Sequence, residues 1–426
     1  MKISSPATVD FSHILRALRY RNYRLFFFGQ IVSLTGTWMQ YLAMGWLVYR
    51  LTNSAFALGV VGFASQVSTF FISPFAGVWA DRWNRHRIVV VTQVLAMAQA
   101  FILAALVLSN TVEIWHVMVL SVFLGAVNSF EMPVRQSFTI DLIGNKEDLA
   151  NAIALNSLEF NIARFLGPMV AGIVVALSNE GTCFLLNGFS YLAVIASLTM
   201  MKVSQERKAK NHNHILESMR EGFVYTFGSA PMRFILVLMG LVSLVVMPYA
   251  ILLPVFARDV LHGDSRTLGY LMGAAGFGAL SGAIFLANKK GVRGMGKTIA
   301  GATFVLGAGL ILLSFSRSFP VSLVLMVVVG FGLMVHMAGS NTVLQTLVDD
   351  DKRGRVMSVY IMAFIGLTPF GSLMAGSLAQ KAGAPYTILG AGAVSLAGAC
   401  FFAWRLRSFA AIIDRSTNTA VSEPVV

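Results

Sequence analysis

Long apolar runs separated by short charged connectors divide most of this chain into segments of similar length. About 20 apolar residues in an α-helix cross the ~30 Å hydrocarbon core of a bilayer. Each run is predicted to be a helix, because lipid offers no hydrogen-bond partner to an open strand or loop. Twelve spans are predicted: residues 25–49, 56–79, 87–108, 114–137, 150–177, 182–201, 232–256, 267–287, 297–316, 320–346, 356–380 and 386–404. The pattern therefore predicts an all-α polytopic membrane protein.

Composition agrees with this interpretation and argues against disulfide and metal sites. Of the 426 residues, 56% are hydrophobic and only 12% are charged, whereas soluble proteins carry about 25% charged residues. Cys183 and Cys400 fall in different predicted spans, so neither a disulfide framework nor a metal cluster is predicted. No cofactor is expected. Residues 1–24 are polar and basic, and a cleavable signal peptide is not predicted.

The positions of Lys and Arg predict the orientation in the membrane. Positive residues accumulate in cytoplasmic connectors. With the N-terminus in the cytoplasm, 25 of the 32 Lys and Arg residues lie in the two tails and the cytoplasmic connectors. Topology and contact with anionic lipid headgroups thus explain the net charge of +13, and no nucleic-acid partner is expected. We predict a multi-pass protein of the cell inner (plasma) membrane with both termini in the cytoplasm.

The longest connector divides the chain into two halves of six spans. Within it, Leu216, Met219, Phe223 and Phe227 recur at spacings of three or four, which predicts an amphipathic helix on the membrane surface. The predicted organisation is a cytoplasmic N-terminal tail (1–24), a six-helix bundle (25–201), a cytoplasmic linker (202–231), a second six-helix bundle (232–404) and a cytoplasmic C-terminal tail (405–426).

A weak repeat relates the two halves. Three pairs share an offset of 205 residues: Gly77 and Gly282, Gly125 and Gly330, Glu131 and His336. The stretches "GPMVAG" (167–172) and "TPFGSLMAG" (368–376) correspond at a similar offset. Repeated helical bundles around a central axis are typical of secondary transporters, which bind substrate near the midplane between the repeats. The sequence therefore predicts two pseudo-symmetric six-helix bundles.

The connector "GVWADRWNRHR" (77–87) carries an unusual density of charge. Topological anchoring accounts for its Arg residues but leaves Gly77 and Asp81 unexplained. The stretch resembles the motif G-x-x-x-D-R-x-G-R-R/K of the major facilitator superfamily, with Asn84 in place of Gly; Asn is expected to adopt the left-handed turn as well. The resemblance implies a conformational latch to the start of the eleventh helix, near residues 355–358, formed by Gly77, Asp81, Arg82, Arg85 and Arg87. The second-half copy has Leu286 in place of the acid, so the latch is expected in the first half only.

A second resemblance lies in the fifth span. "ARFLGPMVAG" (163–172) is similar to a Gly-Pro motif of proton-driven exporters in this superfamily, and the preceding sequence resembles the branch of enterobactin and multidrug exporters. Gly167, Pro168 and Gly172 form this helix-5 kink motif; kinking and close packing alone would also explain them. The resemblance implies proton-coupled export of an amphipathic siderophore or drug by alternating access. A membrane enzyme or receptor is not expected, because the sequence has no clustered His/Asp/Cys ligands, no nucleophile elbow and no phosphate-binding loop. An uptake symporter, a facilitator and a lysophospholipid translocator remain alternatives.

Polar residues within the spans identify candidates for the substrate cavity. In the resembled superfamily the first, fourth, seventh and tenth helices line it. At 100° per residue, a polar stripe follows one face of the first span. The candidates are Gln30, Ser33, Thr37, Gln40, Tyr41, Asn128, Arg135, Arg164 and Asn341.

Ionisable groups inside a membrane are costly, so each is a functional candidate. Glu131, Glu159 and His336 are the candidates for proton coupling. An ion pair between Glu131 and Arg135, four residues apart, is an equally good interpretation, and His336 could be a hydrogen-bonded structural residue. Glu159 and Arg164 lie about 140° apart around the helix, so each is expected to have partners on other helices. The expected partners of the protein are a small-molecule substrate, protons and the lipid bilayer, and a monomer is expected.

Overall fold

The computed structural model describes residues 15–201, 215–289, 291–349 and 352–422, and the side chains of these residues except 73–82, 146, 215–219 and 407–422. Helices form almost all of this part of the chain, and it contains no strand. The all-α prediction is therefore confirmed.

Twelve long helices correspond to the predicted spans. They are α1 (Arg21–Thr52), α2 (Ala55–Arg82), α3 (Arg85–Leu108), α4 (Ile114–Asp141), α5 (Lys146–Leu177), α6 (Glu180–Thr199), α7 (Ala230–Val260), α8 (Ser265–Ala287), α9 (Met295–Phe315), α10 (Phe319–Leu347), α11 (Arg353–Ala382) and α12 (Ala384–Ser422). A linker helix, Ile215–Gly228, precedes α7. The twelfth helix continues to Ser422 rather than ending near residue 404.

Eleven of these helices, within the described residues, are long and apolar enough to cross a membrane. The remaining one, α1, has 32 residues, which is ample length for a crossing. Polar residues that include Gln30, Ser33, Thr37 and Gln40 lower its hydropathy. Because these side chains face other helices or a cavity, as described below, α1 is a plausible twelfth span.

The start of α3 corrects one sequence expectation. Asn84 has φ −70° and ψ 115°, so it is extended rather than left-handed. Its side-chain oxygen accepts a hydrogen bond of 3.0 Å from the backbone N–H of Arg87. Asn84 thus caps the N-terminus of α3 by the usual mechanism for this residue type.

Close helix contacts recur at equivalent places in the two halves. A Cβ on Gly125 of α4 would lie 2.5 Å from the backbone oxygen of Ser65 in α2, and a Cβ on Gly330 of α10 would meet the backbone oxygen of Ala275 in α8. These contacts relate α4 to α10 at an offset of 205, as predicted, and α2 to α8 at an offset of 210. The predicted match of Gly77 with Gly282 uses an offset of 205, five residues less than the offset of 210 that relates α2 to α8 at these contacts. That match is therefore wrong by five residues.

A buried amide network joins three helices of the first half. Gln40 of α1 donates to Oε1 of Gln99 in α3 at 3.0 Å and accepts from Nδ2 of Asn187 in α6 at 2.8 Å. Asn187 also contacts the hydroxyl of Ser190 at 3.0 Å. All four side chains are buried, so the network fixes α1 against α3 and α6 away from lipid.

Replacing Gln40 by Leu is expected to lower the free energy of unfolding by about 1–3 kcal/mol, because it leaves polar groups of Gln99 and Asn187 buried without these partners. Thermal or denaturant unfolding of the purified protein in detergent measures the change. Thr342→Val is the matched control, since the Thr342 hydroxyl is exposed and bonds only to its own helix at Ala338. Equal stability of the two variants would contradict a stabilising role for the network.

Candidate functional site

The two halves of the bundle meet at one end. We name the two ends by charge: at the basic end lie the connectors α2–α3, α6–α7, α8–α9 and α10–α11, and the other end is called the opposite end. A Cβ on Gly172 of α5 would lie 2.6 Å from the backbone oxygen of Ser265 in α8. A Cβ on Gly376 of α11 would lie 2.7 Å from Cα of Gly59 in α2. Both contacts are near the opposite end, where the backbones of the two halves touch.

Hydrogen bonds reinforce this closure. The Tyr49 hydroxyl at the end of α1 donates to the Asp259 carboxylate at the end of α7. The Ser54 hydroxyl donates to Oε1 of Gln380 at 2.9 Å, and the Ser265 hydroxyl donates to the Gly172 carbonyl at 3.0 Å. Among the described residues, every side-chain hydrogen bond found between the halves is at this end. The halves are therefore closed at the opposite end.

Helix α7 is irregular where it faces the first half. It changes from α-helix to a π-helix at Val242–Val246, then to a 3₁₀-helix at Met247–Leu252. Pro248 and Pro254 lack the N–H that a regular helix requires there. Irregular backbone at membrane depth is tolerated where it is buried in protein or lines a cavity, and broken helices of this kind commonly line transporter sites.

A cavity of about 270 Å³ lies between the halves beside this irregular segment. Its first-half wall includes the polar residues Thr37, Gln40, Tyr41, Ser65, Gln66, Ser121 and Asn128. Its second-half wall is formed by the apolar residues Ala250, Ile251, Pro254, Leu268 and Met272. The first half also contributes apolar lining residues: Leu42, Met44, Val48, Leu58, Val61 and Leu124. All polar side chains of the lining therefore come from the first half, both halves contribute apolar surface, and the described residues that line the cavity carry no charge.

The polar stripe of α1 divides between two environments. Thr37, Gln40 and Tyr41 line the cavity, as expected for substrate-cavity residues. Gln30 and Ser33 do not line it; they are buried at 2% and 3% exposure inside the first half. One face of α1 both packs against a helix and lines the cavity, because the part near the basic end lies against α6. There Gly29 and Gly36 allow close approach of Ser197 and Ser190.

A charged cluster lies between the cavity and the basic end. Nε of Arg135 is 3.0 Å from Oε1 of Glu131 one turn earlier on α4, although the N–H direction does not make a hydrogen bond. Glu159 of α5 is 3% exposed and interacts electrostatically with the same guanidinium. One Arg therefore serves two carboxylates, and the three groups carry an excess of one negative charge when both acids are ionised.

The family follows from comparison of this chain with known proteins. A family described as "transmembrane secretion effector" matches residues 13–426. The chain belongs to this family, within the major facilitator superfamily. The predicted superfamily and its exporter branch are thereby confirmed, and the chain is a multi-pass membrane transporter.

Three relatives of this transporter are named for a siderophore or for drug efflux. The staphyloferrin A transporter of Staphylococcus aureus is 25% identical over 89% of this chain and 95% of its own length. The multidrug efflux pump Tap of Mycolicibacterium fortuitum is 24% identical over 86% and 91%. The macrolide efflux protein A of Streptococcus pyogenes is 21% identical over 87% and 93%. These relatives are transporters, as is the chain itself.

Solved structures show the same fold. The nucleoside transporter NupG matches with a TM-score of 0.68 and 11% identity, over 89% of this chain and 98% of its own. A bacterial homologue of the iron transporter ferroportin matches with a TM-score of 0.67 and 16% identity, over 90% and 98%. The predicted major facilitator fold of two six-helix bundles is therefore confirmed.

The helix-5 motif allows α5 to pack closely against α1 on one side and against α8 on the other. A Cβ on Gly167 would lie 2.6 Å from Cβ of Trp38 in α1, whereas Gly172 faces α8. The backbone oxygen of Pro168 would lie 2.6 Å from a Cβ on Gly269, also in α8. The structure keeps Lys146–Leu177 in one α-helix through Pro168. This motif thus sets the distance of α5 from α1 and from the other half.

Two further candidates on α10 lie away from the cavity lining. Nδ1 of His336 is 2.7 Å from the Thr303 hydroxyl of α9, and the His336 side chain is fully buried. Asn341 accepts a hydrogen bond of 2.9 Å from Nε2 of Gln345 on its own helix. The structure therefore brings neither side chain to the Glu131, Arg135 and Glu159 cluster.

The latch residues are described only in part. The side chains of Gly77, Asp81 and Arg82 lie outside the described residues. Nη1 of Arg85 is 2.9 Å from Asp141 at the end of α4, a contact within the first half, and Arg87 is exposed. At the expected partner site, Arg355 at the start of α11 pairs with Glu221 of the linker helix. The latch therefore stays a prediction.

Sequence reasoning missed the polar contacts that close the opposite end. Tyr49 and Asp259 are 210 residues apart and come from different halves, so no local spacing could pair them. Arg50 and Glu180 were missed similarly: Nε and Nη2 of Arg50 lie 2.7 and 3.0 Å from the two carboxylate oxygens of Glu180. The available signal was the placement of three charged residues, Arg50, Glu180 and Asp259, at the end of the predicted bundle that carries few Lys and Arg.

Proposed function

We propose that this transporter exports small amphipathic organic molecules, siderophores or drugs, in exchange for protons. The observation that carries the proposal is the cavity between the halves, which has polar side chains from the first half and apolar side chains from both halves. Such a surface suits a molecule with both polar and apolar parts. The relatives named for multidrug efflux and macrolide efflux support export as the direction, and the relative named for staphyloferrin A supports a siderophore as a substrate class.

The orientation of the chain belongs to the same proposal. Placing the basic end in the cytoplasm follows the positive-inside rule and puts both termini on that side of the plasma membrane. The side-chain hydrogen bonds between the halves are at the opposite end, so the cavity would then be reached from the cytoplasm. This is the state in which an exporter loads its substrate. One chain contributes both walls, and we propose that the monomer transports.

The cluster of Glu131, Arg135 and Glu159 is the proposed proton site. An excess negative charge inside the membrane is costly, and one proton removes it. The cluster lies toward the basic end from the cavity residue Asn128, on the same face of α4. Proton binding there would change the charge balance between α4 and α5 without a change in the cavity lining itself. We treat the two acids as a coupled pair that takes one proton.

Transport into everted membrane vesicles tests the proposal. With a macrolide and staphyloferrin A as separate probes, an inside-acid gradient is expected to drive accumulation of at least one probe. Exchange of one proton per uncharged molecule allows about tenfold accumulation for each unit of pH difference. Vesicles without the transporter are the control. Accumulation that persists after a protonophore dissipates the gradient, or that requires the reverse gradient, would contradict proton-coupled export.

A further inference from the structure

Arg164 is a charged residue in the middle of a membrane-spanning helix. It stands 13 residues from the nearer end of α5, which corresponds to about 20 Å along the helix. Among the described residues, it forms no ion pair and no hydrogen bond through its side chain. A cation at this depth is costly unless something compensates it.

Aromatic groups surround the guanidinium. Its central carbon lies 5.8 Å from the centroid of the Trp38 ring, within range of a cation–π interaction. It also interacts electrostatically with Tyr41 of α1 and Tyr249 of α7. A ring can occupy one face of the guanidinium while the N–H edge stays free to bind a planar anion. Arg164 is only partly buried.

These aromatic groups connect Arg164 to the cavity. The Trp38 and Tyr41 rings are in edge contact, with centroids 5.7 Å apart. Tyr41 is 46% exposed and lines the cavity, while Tyr249 belongs to the irregular segment of α7 on the other half. Gly167 holds Trp38 close to α5 one turn beyond Arg164. Arg164 itself does not line the cavity; it is connected to the cavity through Trp38 and the lining residue Tyr41.

We propose that Arg164, with Trp38 and Tyr41, binds a carboxylate group of the transported molecule. The apolar part of that molecule would lie against Ile251, Leu268 and Met272 on the second half. A guanidinium matches a carboxylate with two parallel hydrogen bonds, and a single negative charge balances the single positive one. This inference rests on the proposal that the cavity between the halves holds the substrate, and it adds the chemical class: amphipathic carboxylates.

A matched pair of probes isolates the carboxylate. Binding of N-dansyl-phenylalanine and of its amide is measured by fluorescence titration of the purified full chain in nanodiscs of zwitterionic lipid. The wild type is expected to bind the acid at least about tenfold more tightly than the amide, as a charge-assisted pair allows. Arg164→Gln should remove this preference by weakening only the acid, and Arg164→Lys should retain an intermediate preference. Unchanged binding of the amide shows that the variant cavity is folded.

Arg317→Gln is the matched control, because Arg317 bonds to the carbonyls of Ser314 and Ser316 between α9 and α10. It should keep the wild-type preference. Equal binding of the two probes, a preference that survives in Arg164→Gln, or no binding of the acid to the wild type would each overturn the carboxylate site. Selective binding without gradient-driven accumulation in everted vesicles would instead contradict proton-coupled export and leave the site supported.

Discussion

Replacing Glu159 by Gln is expected to abolish substrate accumulation driven by an inside-acid gradient, while exchange of substrate across the membrane continues. In the wild type, Arg135 pairs with Glu131 at 3.0 Å and interacts electrostatically with the buried Glu159. With Glu159 neutral, Glu131 and Arg135 balance each other, and the cluster no longer requires a proton to be uncharged. A gradient that gave about tenfold accumulation per pH unit in the wild type should then give a ratio near one.

Charge counting makes the same prediction for Glu131→Gln, because Glu159 can then balance Arg135. The two single variants should therefore behave alike, and the double variant should also lose export because it leaves Arg135 without either acid. Substrate exchange in vesicles without a gradient separates uncoupling from loss of the protein. Glu147→Gln is the matched control, since Glu147 is on the same helix with its side chain 77% exposed. Wild-type accumulation by both Glu131→Gln and Glu159→Gln would exclude the cluster from proton coupling.

Replacing Gly172 by Leu is expected to prevent closure of the opposite end. A Cβ at this position would be 2.6 Å from the Ser265 backbone oxygen, and backbone cannot move aside as a flexible side chain can. Overpacking costs about 1–3 kcal/mol, and a Leu against backbone belongs at the upper limit. A cost of about 3 kcal/mol changes the ratio of closed to open states about 100-fold. Gly376→Leu, at the equivalent contact with Gly59, should have the same effect.

A cysteine in the cavity reports this change. Met272→Cys is placed in a Cys183→Ala, Cys400→Ala background, and its labelling by a membrane-impermeant maleimide from the opposite side is measured in sealed vesicles. Labelling should accelerate strongly in Gly172→Leu and Gly376→Leu, and export should fall. Gly301→Leu is the matched control, because no atom lies within 4 Å of a Cβ built there. Slow labelling in both variants, as in the control, would show that these contacts do not hold the end closed.

The cavity shows how much of the site could be predicted from the sequence. Thr37, Gln40, Tyr41 and Asn128 were identified because polar residues on one face of an apolar helix have no reason to contact lipid. The same criterion selected Gln30 and Ser33, which contact other helices of their own half. Periodicity separates a lipid-facing from a protein-facing side but cannot distinguish a packed helix interface from a cavity, since both exclude lipid.

The ionisable residues show the same limit. Sequence spacing correctly placed Glu131 and Arg135 on one face of α4 and kept Glu159 and Arg164 apart. It could not show that Glu159 faces Arg135 of α4 or that Arg164 faces Trp38 of α1. Those partners are on other helices, and the rotation of each helix about its axis depends on close contacts such as that of Gly167 with Trp38.

The sequence by itself determined the number and approximate position of the membrane-spanning helices, because bilayer thickness and backbone hydrogen bonding act on each apolar run separately. It also identified the internal repeat and the superfamily, through motifs that are local. Only the tertiary structure decided which end of the bundle is closed, which half supplies the polar wall of the cavity, and which of four intramembrane charges share a cluster. These properties arise from contacts between segments that are as much as 326 residues apart, as in Ser54 with Gln380, and helix packing sets them through side-chain shape rather than through periodicity.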